Sequence, residues 1–292
     1  MKTCIDKFEL ARVGARLAAW GMLVTPFLVV AVLLLDRRGR SAAEGDALYV
    51  AASGKDPTVI RRLIERIPDL DARDRLGFTP LALMASLGRT DAVGMLLARG
   101  AAVDVVQPDL GTPLMLALRG GHVAIARALL ERGADVNVQC GGYDALANAT
   151  GSNSCECVNL ALEAGANPRA TGRRYSVLSL AVQVGNAEVM QRLLAAGADP
   201  NQPDEDGRTP LINAAEGDEP ELARLLLVAG ADPSRARPDG LTPRAVAQAR
   251  ACQEMLALLD DHERTSPRRG EEPSTAGNRA GSVEALDWKR SR

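Results

Sequence analysis

The sequence predicts an all-α solenoid: paired antiparallel helices joined by β-turn fingers and preceded by one transmembrane helix. Three observations predict it. From Asp46 onward a set of helix-start residues recurs about every 33 positions. Rings are scarce, 3% of 292 residues against 46% hydrophobic, so Ala and Leu must fill the core. That suits thin helices packed closely, because ordinary sandwich and α/β cores lean on Phe, Tyr and Trp for buried area. Third, nineteen successive residues from Leu17 to Leu35 carry no charge.

The remaining composition narrows the function. A net charge of −2 argues against nucleic-acid binding, which wants a basic face. Two histidines, His122 and His262, exclude most histidine-based catalysis and metal sites. Leu, Val and Ala recur in order, which excludes a collagen-like or wholly disordered chain. No Gly-rich phosphate loop, nucleophile–base pair or framed pair of carboxylates is visible, so neither an enzyme nor a cofactor is expected.

Residues 1–16 form a short tail and 17–35 the expected anchor. A 19-residue helix rises about 28 Å, close to the ~30 Å hydrocarbon layer. Trp20 lies near one end, where interfacial aromatics collect. Pro26 sits mid-span, where membrane helices tolerate a kink. The rival is a signal peptide cleaved at Ser41-Ala42-Ala43, within the linker 36–44. Against it, Arg37, Arg38 and Arg40 stand between the apolar run and that site. Lys2, Lys7, Arg12 and Arg16 on one flank outnumber those three arginines on the other. The positive-inside rule then keeps the N-terminus inside and puts the repeats on the extracytoplasmic side of a single-pass membrane protein. Five unpaired cysteines point the other way, toward a reducing compartment. The charge argument carries slightly more weight, because buried thiols without a partner also survive oxidising compartments.

Residues 45–260 carry the repeat. Asp46, Thr79, Thr112, Asp144, Ser176, Thr209 and Thr242 are spaced by 33, 33, 32, 32, 33 and 33. All are Asp, Thr or Ser, whose side chains accept from the free N–H groups of a helix's first turn. Proline follows in four copies, at the first helical position, where its missing N–H costs nothing. A turn comes about nine residues later, at Gly88, Gly121, Asn153, Gly185 and Asp218. A second helix follows with an apolar stripe, as in Val59, Ile60, Leu63 and Ile64, or Val189, Met190, Leu193 and Leu194. Gly-Ala then ends it in five copies, from Gly100-Ala101 to Gly230-Ala231, since glycine adopts φ > 0.

Two helices and a β-turn in about 33 residues resemble the ankyrin repeat, over seven units. Gly77-Phe78-Thr79-Pro80-Leu81, Gly111-Thr112-Pro113-Leu114 and Gly207-Arg208-Thr209-Pro210-Leu211 match that family's opening. Gly121-His122 and Leu129 to Asn137 match its middle and end. The resemblance gives His122 a bland local hydrogen-bonding role. The fourth unit lacks the proline. The seventh has Arg244 where Leu is expected and reads as the C-terminal cap. Cys155 and Cys157, at i and i+2 of a helix, point about 200° apart and cannot bridge. Their bland reading is as small apolar fillers, the rival a metal or redox pair. Cys140 is expected to be exposed at a finger tip. Residues 261–292 are rich in Ser, Pro, Gly, Arg and Glu and read as a disordered tail.

The resemblance implies binding of a protein partner through finger tips and the concave face of the inner helices. Within the repeats only four aromatics exist, and Phe78, Tyr143 and Tyr175 each stand one residue before a cap. They are the expected lining of the partner groove, flanked by Arg75, Leu76, Arg173, Arg174, Glu205, Asp206 and Arg208. The alternative for the rings is packing against the neighbouring finger. The sequence thus predicts a monomeric, membrane-tethered scaffold or regulator whose protein partner it does not name. The runner-up is a secreted effector or inhibitor released near Ala43.

Overall fold

The computed structural model describes residues 48–52, 56–169 and 175–265. Residues 48–52 are helical. Thirteen helices follow: α1 (Pro57–Arg66), α2 (Pro80–Ser86), α3 (Thr90–Ala98), α4 (Pro113–Arg119), α5 (Val123–Glu131), α6 (Ala145–Gly151), α7 (Cys155–Glu163), α8 (Val177–Val184), α9 (Ala187–Ala195), α10 (Pro210–Gly217), α11 (Pro220–Val228), α12 (Pro243–Ala249) and α13 (Gln253–Thr265). Among the described residues the β-structure is confined to isolated bridge positions, Gln107 with Gly111, Cys140 with Tyr143, and Ser176. The expected tail, anchor and linker (1–16, 17–35, 36–44) lie outside the described residues, as do Asp46, Arg173, Arg174 and everything beyond Thr265. No described helix is long and apolar enough to cross a membrane.

Each unit begins as the residue types dictate. The side chains of Thr79, Thr112, Asp144, Ser176, Thr209 and Thr242 accept from the N–H three residues on, at Ala82, Met115, Ala147, Ser179, Ile212 and Ala245. The five turn residues all adopt the left-handed conformation, Asn153 and Asp218 included, at φ 60° and 54°. The Gly-Ala glycines run from φ 84° to 92°. The helices therefore stop where the sequence says, and each pair folds back antiparallel.

The first helices α2, α4, α6, α8, α10 and α12 form one row and the second helices the other. First helices pack against their neighbours more closely than second helices do, which bends the ladder toward the first row. The core runs continuously between the rows. Ile64, Leu81, Leu96, Leu114, Leu118, Ile125, Leu129, Leu146 and Leu178 are fully buried. Each such side chain contributes roughly 1.5–3 kcal/mol of transfer free energy. None of the four described aromatics is buried, so Ala and Leu do carry the core.

Polar groups lock unit to unit. Arg99 donates to the carbonyls of Ile64 and Ile67, and Arg132 to that of Leu97 at 2.6 Å. These carbonyls lie at or just past helix C-termini, where intrahelical donors run out. The ring of His122 lies over the backbone of Gly88 and Gly120. A Cβ on Gly88 would stand 2.6 Å from its Cε1. His122 thus fills space against glycine, and no side-chain hydrogen bond of it occurs among the described residues, contrary to the local hydrogen-bonding role expected.

Two further expectations need correction. Helix α13 runs past Asp260 to Thr265. The apolar pattern stops there, but Arg244 holds the helix through Asp260 at 2.7 Å and Glu263 at 2.9 Å. The arginine standing where Leu is expected is a staple between α12 and α13. Cys140 is half-buried rather than exposed, with its thiol directed to the Gln107 carbonyl at 3.7 Å.

Candidate binding groove

The fingers are held by a recurring carboxylate turn. Asp74 Oδ1 accepts from the N–H groups of Leu76 (2.9 Å) and Phe78 (2.8 Å). Asp204 Oδ1 repeats this with Asp206 (3.0 Å) and Arg208 (2.8 Å). In the next finger along from Asp74, Gln107 replaces the carboxylate, and its Oε1 instead accepts from Thr79 N in the preceding unit at 3.1 Å. An aspartate five residues before a cap therefore fixes the direction of the tip and of the residue just before the cap.

That geometry places the predicted residues. Phe78, Tyr143, Tyr175 and Arg208 hold the same position in their units, so they form one row along the starts of the inner helices. All four are half-buried, and Phe78 packs against the core. Arg75 and Leu76 stand at the tip of the first described finger, Leu76 with 65% of its surface exposed. Glu205 and Asp206 are exposed at the 204–208 tip. The predicted set thus falls into an apolar–basic end at 75–78 and an acidic end at 204–208, joined by the two tyrosines. Arg173 and Arg174 lie outside the described residues.

The acidic end is an ion-pair network. Arg208 reaches Asp206 at 3.1 Å and Glu216 at 3.6 Å. Arg237 of the following finger reaches Glu216 at 2.8 Å and Asp239 at 2.6 Å. The hydrogen bond from Arg237 holds the Asp239 carboxyl below the usual carboxylate range. Glu216, from α10, therefore ties two fingers together.

Glu216, Arg237 and Asn213 were missed at the sequence level. Asn213 lies four residues after the Thr209 cap, where the other inner helices carry Leu83, Leu116, Asn148, Leu180 and Val246. It is only 7% exposed, and its Nδ2 has no hydrogen-bond partner. The signal was available: an amide in a register that otherwise holds mostly leucine.

Neither Cys155 nor Cys157 offers this site a reactive thiol. Burial, with Glu188 beside it, pushes the Cys155 thiol up. A raised thiol has little nucleophilic thiolate at neutral pH. Cys157 is wholly buried. Among the described residues no cluster of His, Cys, Asp or Glu is arranged to hold a metal ion.

Comparison with known proteins settles the family. A profile of ankyrin repeats in three copies matches residues 100–172 and 178–267, more than half of the chain, and a single-repeat profile matches 76–108. The chain belongs to the ankyrin-repeat family. Among solved structures, the ankyrin repeat domain of Bcl-3 aligns with TM-score 0.62 at 28% identity, covering 73% of this chain and 97% of that domain. The human ASB11 ankyrin repeat domain aligns with TM-score 0.59 at 34% identity, over 63% of this chain and 84% of that one. The ankyrin repeat domain-containing protein SAT10 of Stachybotrys chartarum is 31% identical over 160 residues, 54% of this chain. The match spans 8% of that protein's length, so the relationship concerns the repeat and not the whole relative.

Proposed function

We propose that this ankyrin-repeat chain is a protein-interaction scaffold or regulator. Seven stacked units grip a protein partner in the concave groove and at the fingers, and residues 17–35 tether the array to the membrane. The observation that carries the groove reading is the row of Phe78, Tyr143, Tyr175 and Arg208, large side chains left half-buried along one edge of an otherwise Ala/Leu-built ladder. Half-buried rings at such an edge are the anchor type that dominates interface energies. The uncharged run of Leu17 to Leu35 and the flanking arginines support a tether, with the repeats outside the cytoplasm. The small residues Ser41-Ala42-Ala43 favour the second reading, a secreted effector or inhibitor.

Proximity labelling with the full chain identifies the partner. Replacing Phe78, Tyr143 and Tyr175 by Ala is then expected to abolish recovery of that partner while the far-UV circular dichroism stays helical. Unchanged recovery would overturn the groove reading. Mass spectrometry of the N-terminus in membrane fractions is expected to find the segment 17–35. A chain beginning near Glu44 would replace the tether by secretion.

A further inference from the structure

The C-terminal end of the groove has a charge surplus and an unpaired buried amide, and the two point to one kind of ligand. We propose that the 204–208 finger, α10 and the 237–241 finger together bind a basic side chain, arginine or lysine, presented on an extended segment of the protein partner. The inference rests on reading the groove as the partner surface and adds the chemistry of what enters it.

Charge comes first. Asp204, Glu205, Asp206, Glu216 and Asp239 stand against Arg208 and Arg237. Both arginines are already engaged through their terminal nitrogens by Asp206, Glu216 and Asp239, while Arg208 Nε is buried without a partner. Five carboxylates against two guanidiniums leave the described part of the cluster net negative. Asp206 and Asp239 keep 69% and 53% of their side-chain surface in solvent, where an incoming cation can reach them. Bidentate contact with two carboxylates is what a guanidinium offers best. An acidic segment or a phosphate backbone would meet repulsion at the same place.

Asn213 supplies the independent observation. It lies three residues before Glu216 on α10, hence on the same helix face. Its Nδ2 is buried without an acceptor, whereas Asn148 at the equivalent position donates to the Asp144 carbonyl (2.8 Å) and accepts from Arg119 Nε (2.9 Å). Asp204 Oδ2 likewise has no partner. Polar atoms buried unpaired are costly, so each needs a partner or a function to account for it. An extended segment brings both complements: its backbone carbonyl accepts from the Asn213 amide, and its cationic side chain sits among the carboxylates.

The test pans a phage-displayed random 12-residue library on the full chain in a mild neutral detergent, then measures the selected peptides in synthetic form. Selected sequences are expected to carry Arg or Lys at one position several-fold above library frequency. The triple variant Glu205→Gln, Asp206→Asn, Asp239→Asn is expected to weaken them at least about tenfold. Asn213→Leu installs the residue that three other units use, so the fold is expected to melt no lower while peptide affinity falls. A purely structural role for Asn213 would leave affinity unchanged. Peptides that lose binding when Phe78, Tyr143 and Tyr175 become Ala, yet show no basic preference or an acidic one, overturn the inference and leave the groove reading standing. Peptides indifferent to every one of these variants, or no selected peptides, overturn both.

Discussion

Leu83 and Leu116 near the N-terminal end of the ladder, and Asn148 and Asn213 farther along, occupy one register position four residues after a helix cap. All four are nearly inaccessible. The repeat backbone buries whatever stands there, so residue type decides what the burial means. The leucines gain transfer free energy. The asparagines must find hydrogen bonds, and of the two only Asn148 has a partner for its amide nitrogen within the chain. A stacked fold can therefore vary the chemistry of its groove one position at a time without redesigning the unit. Where a local rule is broken without internal compensation, as at Asn213, function is the place to look for the compensation.

The largest expected effect tests whether packing holds one end of the ladder and polar contacts the other. Leu114, two residues after its cap, is wholly buried; Arg244 holds the same position in the last helix pair. Leu114→Ala is expected to cost about 3 kcal/mol, independent of salt. Arg244→Ala is expected to cost at most about 1 kcal/mol, because its carboxylate partners Asp260 and Glu263 are half-exposed, and the loss should shrink at high salt. Denaturant unfolding of both variants at two ionic strengths checks this. Equal costs would erase the distinction between the two ends.

A smaller effect sets one middle unit apart from the rest by pH. The cap of α6 is Asp144, where four of the other described first helices use threonine and one serine. Burial pushes its carboxyl above the ordinary value of 3.8, partly opposed by the N–H of Ala147. A native value above the unfolded one favours the protonated form in the fold. The resulting stabilisation is full below about pH 3.8 and is lost as pH rises through the native value. At neutral pH the ionised carboxylate carries the cost. Asp144→Asn keeps an acceptor for the cap and removes the charge, so it is expected to raise stability near pH 7 and not at pH 3.5. Thermal melts across that range check it, and a gain that persists at pH 3.5 would point to something other than the charge.

The ladder was legible because its punctuation is local. A cap needs an oxygen, a turn needs φ > 0, and both constraints recur at a fixed spacing whatever the rest of the unit does. Asn153 and Asp218 were readable as turn residues from position alone, and both adopt the left-handed conformation. The groove was half legible. Phe78, Tyr143 and Tyr175 could be placed in one row by register, and Asp206 with Arg208 by charge. That Glu216 collects two arginines from different fingers was not legible, since Arg237 and Glu216 belong to successive units and meet only through the stacking. Nor could spacing show that Cys140 is half-buried, because that follows from the Gln107 carbonyl of the neighbouring finger.

The smallest expected effect lies at a position that spacing implied and residue type concealed. The turn series Gly88, Gly121, Asn153, Gly185, Asp218 continues 33 residues on at Ala251, which holds φ 57° between α12 and α13. Alanine there carries a Cβ close to the following carbonyl oxygen, a strain of roughly 1 kcal/mol, while glycine relieves it at some cost in unfolded-chain entropy. Ala251→Gly is therefore expected to gain only about 0.5 kcal/mol. Because each unit touches only its neighbours, the gain should concentrate in the last pair. Amide hydrogen exchange in α13 is expected to slow while that in α3 stays unchanged. Slowing spread evenly over both would mean that the ladder unfolds as one body, and that its two ends differ in groove chemistry but not in how they come apart.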